Sequence, residues 1–407
     1  MGVNIESMEN KVIIIGSGIV GMTIAYQLLT RKLSNNVLII EKENIPGKHT
    51  SGRNSGVVHS GLYYKPESLK ARVCVKGSKR LRKWVTERNL YLSKCGKLIL
   101  PTNEYLNNRI DELYDRGQKN GCNVEIWELE KLTKNFPYVN LTCGRALWSP
   151  DTSIISPKEI LSTLFNELKE KNVNFLFNSE ITSVNQTMNF IEINSDKKIY
   201  FDYLFNCAGL HADKVAKLFD LASNYKLMPF KGQYLKLKEN FKYEVSSNIY
   251  PVPDLNIPFL GVHFTPGSSG TYIGPTATLA LGRENYNGID SLEPYSLIDN
   301  INILTKQYLS GKNGFRRYFH EQAFQTFRPF FIKAAKELIP SIRAENLEYS
   351  NKSGIRAQLI DLTNQKLVDD FISLEAKNSI HVLNAISPAF TSSFELADLI
   401  INKSRIV

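Results

Sequence analysis

The glycine pattern near the start of the chain constrains the fold more than any other feature. Gly16, Gly18 and Gly21 follow a short apolar run and precede a helical stretch. In such a turn the first glycine permits a sharp bend, the second lets backbone N–H groups approach a pyrophosphate, and the third allows close helix–strand packing. A second apolar run ends in Glu41, twenty residues after Gly21, where a carboxylate can accept hydrogen bonds from a ribose. The pattern predicts a β-α-β unit that binds a dinucleotide, and Glu41 favours FAD or NAD over NADP.

Length and composition indicate an enzyme of two domains with the hydrophobic and charged content that is usual for globular proteins. The chain has 407 residues, of which 43% are hydrophobic and 22% are charged, which suits two interleaved domains. No signal peptide pattern is present, and no apolar run approaches the roughly 18–20 residues that cross a bilayer. The five cysteines are scattered without metal-binding spacing, so we expect free thiols, no metal site and a cytoplasmic location.

The net charge is +10, and the basic residues are spread along the whole chain. Such a charge suits an anionic lipid surface or a polyanionic substrate, or else reflects a soluble surface that repels its neighbours. No run of about five or six basic residues marks a nucleic-acid arm, so we expect no nucleic-acid partner.

The order of helical and extended patterns predicts an α/β fold with two domains. One is a Rossmann-like domain with a parallel sheet, and the other is an inserted substrate domain of antiparallel sheet and helices. The Rossmann-like domain is expected to comprise residues 1–90, 148–215 and 346–407. The substrate domain is expected to comprise residues 91–147 and 216–345. Helical spacing marks the ranges 65–90, 103–121, 157–171 and much of 295–345. Residues 226–284 are instead rich in β-forming residues.

Three further segments can contact a dinucleotide that lies on the predicted sheet. Residues 51–61 combine glycines, hydroxyl side chains and one histidine, which suits a loop along a flat ring and a diphosphate. Ala208 and Gly209 end a strand with small residues, which lets the backbone approach the cofactor. Residues 384–393 precede a helix whose N-terminus can stabilise the negative charge of a reduced flavin. A surface loop and an ordinary helix cap are the alternatives, but the three segments together favour FAD.

With these elements in place, the chain resembles the D-amino-acid-oxidase-like FAD oxidoreductases, and within them the L-2-hydroxyglutarate dehydrogenase/oxidase family. The resemblance runs nearly collinearly from about residue 11 to residue 397. The strings that carry it are NSGVVHSGLYYKPESLKARVCVKG (54–77), CGKL (95–98), SPDTSIISPKEI (149–160), PFKGQYLKL (229–237), YPVPDLNIPFLGVHFTP (250–266), GPTATLALGREN (274–285), GIRAQ (354–358), LVDDF (367–371) and NAISPAFTSS (384–393). The YPVPD…PFLGVHFT string and the HSG-YY-P-SLKA pattern are specific to this family among its relatives.

The chain departs from the family pattern at a few positions. The residues that differ are Arg53 before the NSG string, Lys231 and Gln233 in place of PFRGEY, and Ile386 in place of NAPSPA. A change from arginine to lysine at 231 loses a bidentate contact where one is required. These departures bear on the substrate more than on the fold or the cofactor.

The resemblance implies oxidation of L-2-hydroxyglutarate to 2-oxoglutarate. The C2 hydrogen leaves as a hydride to flavin N5, while a base takes the hydroxyl proton. A base that works near neutral pH favours histidine. His263, in the PFLGVHFT string, and His59, in the loop beside the flavin, are the two candidates for the catalytic base, and their order stays open.

The implied substrate is a dicarboxylate, so cations are expected beside it. Arg356 matches the position at which relatives hold a substrate carboxylate in a bidentate pair. Further candidates for substrate binding are Tyr64, Thr265, Lys231 and Arg283. The residues expected to bind FAD are Gly16, Gly18, Ile19, Val20, Gly21, Glu41, Lys42, Ser51, Asn54, Ser55, Gly56, Val57, His59, Ala208, Gly209, Arg356, Ser387, Ala389 and Thr391.

Residues 301–345 are rich in basic and aromatic side chains. Such a mixture can seat the protein on the inner face of an anionic membrane and deliver electrons to a quinone. The alternative is a set of helices that cover the substrate domain and present a solvated basic face. The electron acceptor is expected to be a quinone or oxygen.

Two other functions stay open on the sequence alone. One is a related FAD-dependent dehydrogenase or oxidase that acts on glycerol 3-phosphate or another small 2-hydroxy or amino acid. The other is a flavin-binding protein without turnover of its own.

Overall fold

The structure is a computed structural model that describes residues 11–253, 261–310, 316, 320, 323–324 and 327–406. The α-helices of this part are α1 (Ile19–Thr30), α2 (Leu69–Glu87), α3 (Glu104–Asn107), α4 (Arg109–Lys119), α5 (Leu129–Asn135), α6 (Pro157–Glu170), α7 (Ala212–Leu218), α8 (Pro294–Ser310), α9 (Arg328–Leu338) and α10 (Ala389–Lys403). Short 3₁₀ helices cover Gly209–His211 and Ala344–Asn346.

The strands of the described part are β1 (Val12–Ile15), β2 (Val37–Ile40), β3 (Val57–Val58), β4 (Leu92–Ser93), β5 (Lys97–Leu100), β6 (Glu125–Glu128), β7 (Arg145–Ser149), β8 (Ser153–Ile155), β9 (Asn174–Leu176), β10 (Ile181–Asn185), β11 (Phe190–Ile193), β12 (Lys197–Tyr200), β13 (Tyr203–Asn206), β14 (Tyr225–Leu237), β15 (Asn248–Pro251), β16 (His263–Thr265), β17 (Tyr272–Gly274), β18 (Thr278–Leu279), β19 (Leu347–Asp361), β20 (Lys366–Leu367), β21 (Ser373–Ala376) and β22 (Ser379–Val382).

A six-stranded sheet forms the centre of the nucleotide-binding part, in the order β21-β22-β13-β1-β2-β9. Neighbouring strands run parallel from β22 to β9, whereas β21 runs antiparallel to β22. Val12 of β1 lies opposite Tyr203 on one side and Val37 on the other. The predicted β-α-β unit and its parallel sheet are therefore confirmed.

Helices cover one face of this sheet, and a small sheet covers the other. Buried side chains of α1, α2, α6 and α10 pack with Ile14, Ile39 and Phe205. On the opposite face Ile13 packs with Ile191 of the three-stranded sheet β10-β11-β12. A parallel strand that is buried on both faces has no polar side, which is why β1 and β2 are uninterrupted apolar runs in the sequence.

A larger, mostly antiparallel sheet follows the order β20-β19-β14-β17-β16-β15-β5-β7-β6, with β18 beside β14. Its longest pair joins β14 to β19, with a register shift between Gln233 and Leu235. This sheet, with α5 and α9 packed on it, gives the expected second half of the fold. β19 lies in the range 346–407 that was assigned to the Rossmann-like domain, although it pairs with β14. The division into domains stays a prediction.

The predicted helices lie close to the observed ones. The expected spans 65–90 and 157–171 correspond to α2 and α6, and the span 103–121 divides into α3 and α4. Ser156 caps α6 by accepting a hydrogen bond from the backbone N–H of Glu159 at 3.4 Å.

The basic and aromatic region contains α8 and α9. Some residues on which the expected membrane contact depended lie outside the described residues, namely Lys312, Phe315, Arg317, Tyr318 and Phe319. Among the helices that the structure describes, none combines the length and the apolar character needed to cross a membrane.

The C-terminal helix α10 crosses α2 closely and thereby fixes its own N-terminus beside the loop at 51–59. A Cβ atom on Gly77 of α2 would lie 2.7 Å from the Cα of Ser392, so only glycine fits at this crossing. The rings of Trp84 and Phe394 pack nearby, with centroids 5.7 Å apart. The backbone N–H of His59 donates to the Thr391 hydroxyl at 3.2 Å, which joins the loop to α10 directly.

Candidate active site

A cavity of about 540 Å³ is lined by residues of both large sheets. Its walls come from the turn after β1, the end of β2, the loop before β3, the end of β13, the strands β14, β15, β16 and β19, and the start of α10. Of the residues expected to bind the cofactor, Gly21 and Gly56 are the two that do not line this cavity. A Cβ atom on Gly21 would lie 2.1 Å from the carbonyl oxygen of Gly16, so Gly21 serves the packing of α1 on β1.

The turn after β1 forms a cradle that side chains would fill. Gly16 has φ +97°, and a Cβ there would lie 2.5 Å from the carbonyl oxygen of Cys207. A Cβ on Gly18 would lie 3.0 Å from the Ser51 hydroxyl oxygen. Gly18 is the N-cap of α1 and supplies no side-chain cap, so the N-terminus of α1 faces the cavity with its dipole. This arrangement fits a pyrophosphate.

Glu41 follows β2 and points its carboxylate at the same turn. One carboxylate oxygen accepts from the Ser17 backbone N–H at 2.9 Å and from the Ser17 hydroxyl at 2.8 Å. The other oxygen accepts from the backbone N–H of Glu43 at 3.0 Å. The carboxylate is therefore fixed at the cavity wall, next to Lys42, in the place expected for a ribose ligand.

An ion-pair cluster borders the same end of the cavity. Lys42 contacts both Glu43 and Glu284, and His211 lies 2.7 Å from Glu284. Burial would raise the pKa of Glu43, but hydrogen bonds from Lys42, Lys48 and His49 lower it to about 2. Hydrogen bonds from His211 and Lys42 likewise hold the pKa of Glu284 well below its usual range against the effect of burial. His49 bridges the cluster to the Tyr286 hydroxyl at 3.0 Å. The cluster joins the loop after β2 to the segment that follows β18.

The loop at 51–59 is held by its own side chains. The Ser51 hydroxyl accepts from the backbone N–H of Ile19 at 3.0 Å, and the Asn54 amide donates to the Ser51 carbonyl at 2.6 Å. Asn54 also accepts from the backbone N–H of Gly56 at 2.9 Å. Gly354 of β19 packs against this loop, where a Cβ would lie 2.3 Å from the carbonyl oxygen of Arg53. The loop therefore touches both the helix α1 and the strand that carries Arg356.

His263, at the start of β16, lines the cavity and is buried. Its Nδ1 lies 2.8 Å from the carbonyl oxygen of Gly261. Because a carbonyl can only accept, Nδ1 carries the proton and Nε2 keeps a lone pair. Burial lowers the pKa of His263 to about 3, with further contributions from the positive charges of Lys97 and Lys352. The imidazole is therefore neutral across the physiological pH range and can accept a proton.

His59 also lines the cavity, at the end of the cofactor loop. Its Nε2 lies 3.3 Å from the Ser387 hydroxyl, and its Nδ1 is buried without a hydrogen-bond partner among the described residues. Burial lowers the pKa of His59 well below its usual value, and the charges of Lys97, His263 and Lys70 lower it further. The two candidate bases thus share one electrostatic environment.

Arg356 lines the cavity from β19, opposite Phe230 of β14. Burial lowers the pKa of Lys70 to about 8, and the charge of Arg356 contributes to this shift. The Tyr64 hydroxyl bonds Ser387 and lies within reach of the Arg356 charge. A carboxylate bound at Arg356 in the cavity would therefore lie near the positive charge of Lys70 and the phenol of Tyr64, neither of which lines the cavity itself.

Apart from Arg356, none of the expected substrate ligands, namely Tyr64, Thr265, Lys231 and Arg283, lines the cavity. Thr265 is buried on β16, two residues after His263 and on the same face of that strand. Lys231 donates to the Asn285 side chain at 3.4 Å. Arg283 is 4% exposed, and its guanidinium pairs with both carboxylate oxygens of Asp213 and donates to the Leu210 carbonyl. A buried ion pair with Asp213 therefore holds Arg283, and the expected contact of Arg283 with substrate stays a prediction.

Two lysines near the histidines, the buried Lys97 and the half-buried Lys352, were not expected from the sequence. The Lys97 ammonium lies 4.2 Å from the Tyr250 ring centroid. The Lys352 ammonium lies 4.4 Å from the Tyr272 ring centroid and 5.3 Å from that of Tyr234, and burial lowers its pKa to about 8. The one sequence signal for Lys97 was its place at the head of the apolar run KLIL.

The site and fold are those of a flavoenzyme, and the chain belongs to the family of FAD-dependent oxidoreductases, whose family model matches residues 11–402. It is 37% identical over 401 residues to the L-2-hydroxyglutarate dehydrogenase of Indibacter alkaliphilus, which covers 96% of this chain and 97% of the relative. It is 33% identical to the mitochondrial L-2-hydroxyglutarate dehydrogenase of Homo sapiens, over 96% of this chain and 87% of the relative. The cofactor is therefore FAD, as expected.

Solved structures support the fold. The FAD-bound L-α-glycerophosphate oxidase of Mycoplasma pneumoniae superposes with a TM-score of 0.74 at 24% identity, covering 97% of this chain and 94% of that chain. The L-proline dehydrogenase of P. horikoshii superposes with a TM-score of 0.69 at 16% identity, covering 97% of this chain and 94% of that chain. The predicted α/β fold class is confirmed.

Proposed function

We propose that the protein oxidises L-2-hydroxyglutarate to 2-oxoglutarate with FAD as its cofactor. The observation that carries the proposal is that two unprotonated histidines and Arg356 line one cavity of a flavoenzyme. The ammonium groups of Lys97 and Lys352 lie against Tyr250 and Tyr234, which also line this cavity. A dianionic 2-hydroxy acid needs this combination, because its hydroxyl must lose a proton while its two carboxylates need positive partners. The likeness to relatives named L-2-hydroxyglutarate dehydrogenase supports this choice of substrate.

Three residues are assigned to substrate binding and proton transfer. Arg356 binds the carboxylate next to C2 with paired hydrogen bonds. Lys352 attracts the distal carboxylate, since its ammonium lies near the rings of Tyr272 and Tyr234 and no ion pair joins it to a described carboxylate. His263 accepts the hydroxyl proton at Nε2, with its ring orientation fixed by Gly261. His59 stays the second candidate for this base.

The bound FAD supplies the two-electron acceptor that takes the C2 hydrogen as a hydride. The oxygen–proton bond and the C2–hydrogen bond break together with formation of the carbonyl, so the substrate loses one proton and one hydride. The cradle of Gly16 and Gly18 and the N-terminus of α1 would hold the pyrophosphate, and Glu41 would bind the ribose. Ser387, Ala389 and Thr391 at the start of α10 border the histidine end of the cavity.

Anaerobic spectroscopy tests the proposal. The purified holoenzyme is mixed with L-2-hydroxyglutarate, D-2-hydroxyglutarate, L-lactate or glycerol 3-phosphate, and the visible flavin band is followed. We expect the L-isomer of 2-hydroxyglutarate to bleach the band fastest. Bleaching by glycerol 3-phosphate alone would reject the substrate, and absence of bleaching by all four would favour a protein without turnover.

We also propose that the protein works as a peripheral protein at the inner face of a membrane, where a quinone reoxidises the FAD. Helix α8 supports this, because Tyr295 is 88% exposed and Ile298 is 57% exposed, and Lys306 is exposed two turns further along the same helix. Exposed apolar and basic residues on one helix suit an anionic bilayer surface. An aromatic contact continues the surface, with the rings of Phe324 and Phe330 5.0 Å apart.

Co-sedimentation with vesicles tests the membrane contact. We expect binding to vesicles that contain phosphatidylglycerol, and loss of binding in a Tyr295→Ser, Ile298→Ser double variant that keeps its activity with a soluble acceptor. Equal behaviour of wild type and variant, together with fast reoxidation by oxygen, would favour oxygen as the acceptor.

A further inference from the structure

Lys97 is a buried lysine to which the proposed reaction gives no role. It begins β5, is 1% exposed, and lies opposite Asn248 of β15 and Ser149 of β7. Lysine is almost never fully buried unless a partner neutralises it. In the described ranges of the chain, no carboxylate forms an ion pair with Lys97. The groups near Lys97 that raise its pKa, against the effect of burial, are the thiols of Cys74 and Cys95.

The Lys97 ammonium and the His263 imidazole share one tyrosine. The ammonium lies 4.2 Å from the Tyr250 ring centroid, and the imidazole stacks on the same ring with centroids 3.8 Å apart. Because both groups lie close to the same centroid, they occupy opposite faces of the ring. Tyr63 covers the ammonium as well, with its centroid 5.0 Å away. The positive charge is thus held one ring away from a candidate base.

The groups that face this cluster are neutral or positive near pH 7. The titratable groups around Lys97 and the two histidines are the thiols Cys74 and Cys95, the phenols Tyr63 and Tyr250, and the amines Lys70 and Lys352. Burial raises the pKa of both thiols and both phenols, so none of them is an anion. Burial lowers the pKa of Lys97 itself to about 7.

We propose that Lys97 is a positioning residue that keeps His59 and His263 unprotonated by holding a positive charge behind them. Lys97 gains its charge as the pH falls into the range in which an ordinary histidine would gain a proton. A second positive charge in this apolar space is strongly disfavoured, so the histidines stay available as bases. The same repulsion favours release to solvent of the proton that a histidine takes from the substrate. The catalytic consequence rests on the proposed function, in which a histidine is the base.

The test uses Lys97→Met holoenzyme, which keeps the length of the side chain and removes its charge. We expect the acid limb of the kcat/KM profile for L-2-hydroxyglutarate to move to higher pH by about one unit or more, because loss of a nearby like charge raises a histidine pKa. In ¹³C-histidine NMR the titrations of His59 and His263 should move in the same direction. Lys97→Arg should keep both properties. Lys94→Met, at an exposed lysine of the same segment, is the matched control.

The outcomes separate this proposal from the proposed reaction. Unchanged histidine titration in folded Lys97→Met, with only a changed melting temperature, would make Lys97 a structural residue and overturn the proposal. If the histidine titrations shift in Lys97→Met but L-2-hydroxyglutarate does not reduce the flavin of the wild type, the role of Lys97 is retained. The proposed substrate is then rejected. If Lys97→Met does not fold, Lys97→Gln gives the same comparison. Ordinary titration of both histidines near pH 6.5 in the wild type would overturn the proposal without any variant.

Discussion

His263 and Tyr250 stack face to face, with ring centroids 3.8 Å apart and an angle of 18° between the planes. The stack and the hydrogen bond to Gly261 fix both the plane and the tautomer of the imidazole. A base that is fixed in this way loses little entropy when substrate arrives, which favours proton transfer from a well-placed hydroxyl.

We expect His263→Asn to lower kcat about 10²–10⁴-fold, the usual contribution of a positioned base, while FAD content is retained. Stopped-flow reduction of the flavin measures this step directly. His381→Asn is the control, since His381 is buried but bonds Ser379 and Asn206 away from the cavity. It should lower the melting temperature and leave the rate per bound FAD unchanged. A larger loss in His59→Asn than in His263→Asn would assign the base to His59.

Arg356→Lys should raise KM about 10- to 100-fold, because a charge-assisted hydrogen bond contributes about 1.5–3 kcal/mol and lysine cannot form the bidentate pair. The flavin spectrum should stay normal. Arg145→Lys, at an arginine that pairs with Asp111 near the surface, controls for the general effect of this exchange. Steady-state kinetics decide the matter, and an unchanged KM would remove Arg356 from the substrate site.

Lys352→Met should weaken the selection for a second carboxylate. We expect kcat/KM for L-2-hydroxyglutarate to fall about 10- to 100-fold, as for the loss of one close charge pair, with little change for L-2-hydroxyvalerate, which has no distal charge. Lys236→Met is the control, because Lys236 faces Glu348 at 3.9 Å on the neighbouring strand. Equal losses for both substrates would mean that Lys352 does not contact the distal carboxylate.

Gly16→Ala should abolish FAD binding. The added Cβ would lie 2.5 Å from the Cys207 carbonyl oxygen, and the φ of +97° is strained for any side chain. Gly144→Ala separates these two effects, since Gly144 has φ +70° but open space around its Cβ position. We expect it to cost about 1 kcal/mol of stability and to leave the FAD content unchanged. Flavin absorbance per protein measures both variants.

Acid should loosen the cofactor end of the cavity. The pKa values of Glu43 and Glu284 are depressed in the folded protein, so their contribution to stability is complete above the unfolded value near 4.3 and is lost as pH falls toward about 2. The melting temperature of the holoenzyme should therefore decrease from pH 5 to pH 3. Glu284→Gln should flatten this decrease, whereas Glu130→Gln, at an exposed site, should not. Identical slopes in all three proteins would contradict the role of the cluster.

The nucleotide-binding half could be predicted because its signals are local. Gly16, Gly18 and Glu41 lie within one β-α-β unit, and their spacing fixes their positions relative to each other. The lysines near the histidines could not be predicted in this way, because Lys97 and Lys352 are ordinary lysines in the sequence until β5 and β19 are placed beside the histidines. The ion pair of Arg283 could not be predicted for the same reason, since its partner Asp213 lies 70 residues earlier in the chain.

The contact between Gly354 and the carbonyl of Arg53 also limits how this enzyme can diversify. The strand that carries Arg356 is seated on the cofactor loop with no room for even a methyl group. A relative that acquires a new substrate must therefore keep this backbone contact and exchange side chains around it. Grafting a longer strand or loop at this junction would displace the cofactor and the carboxylate ligand together.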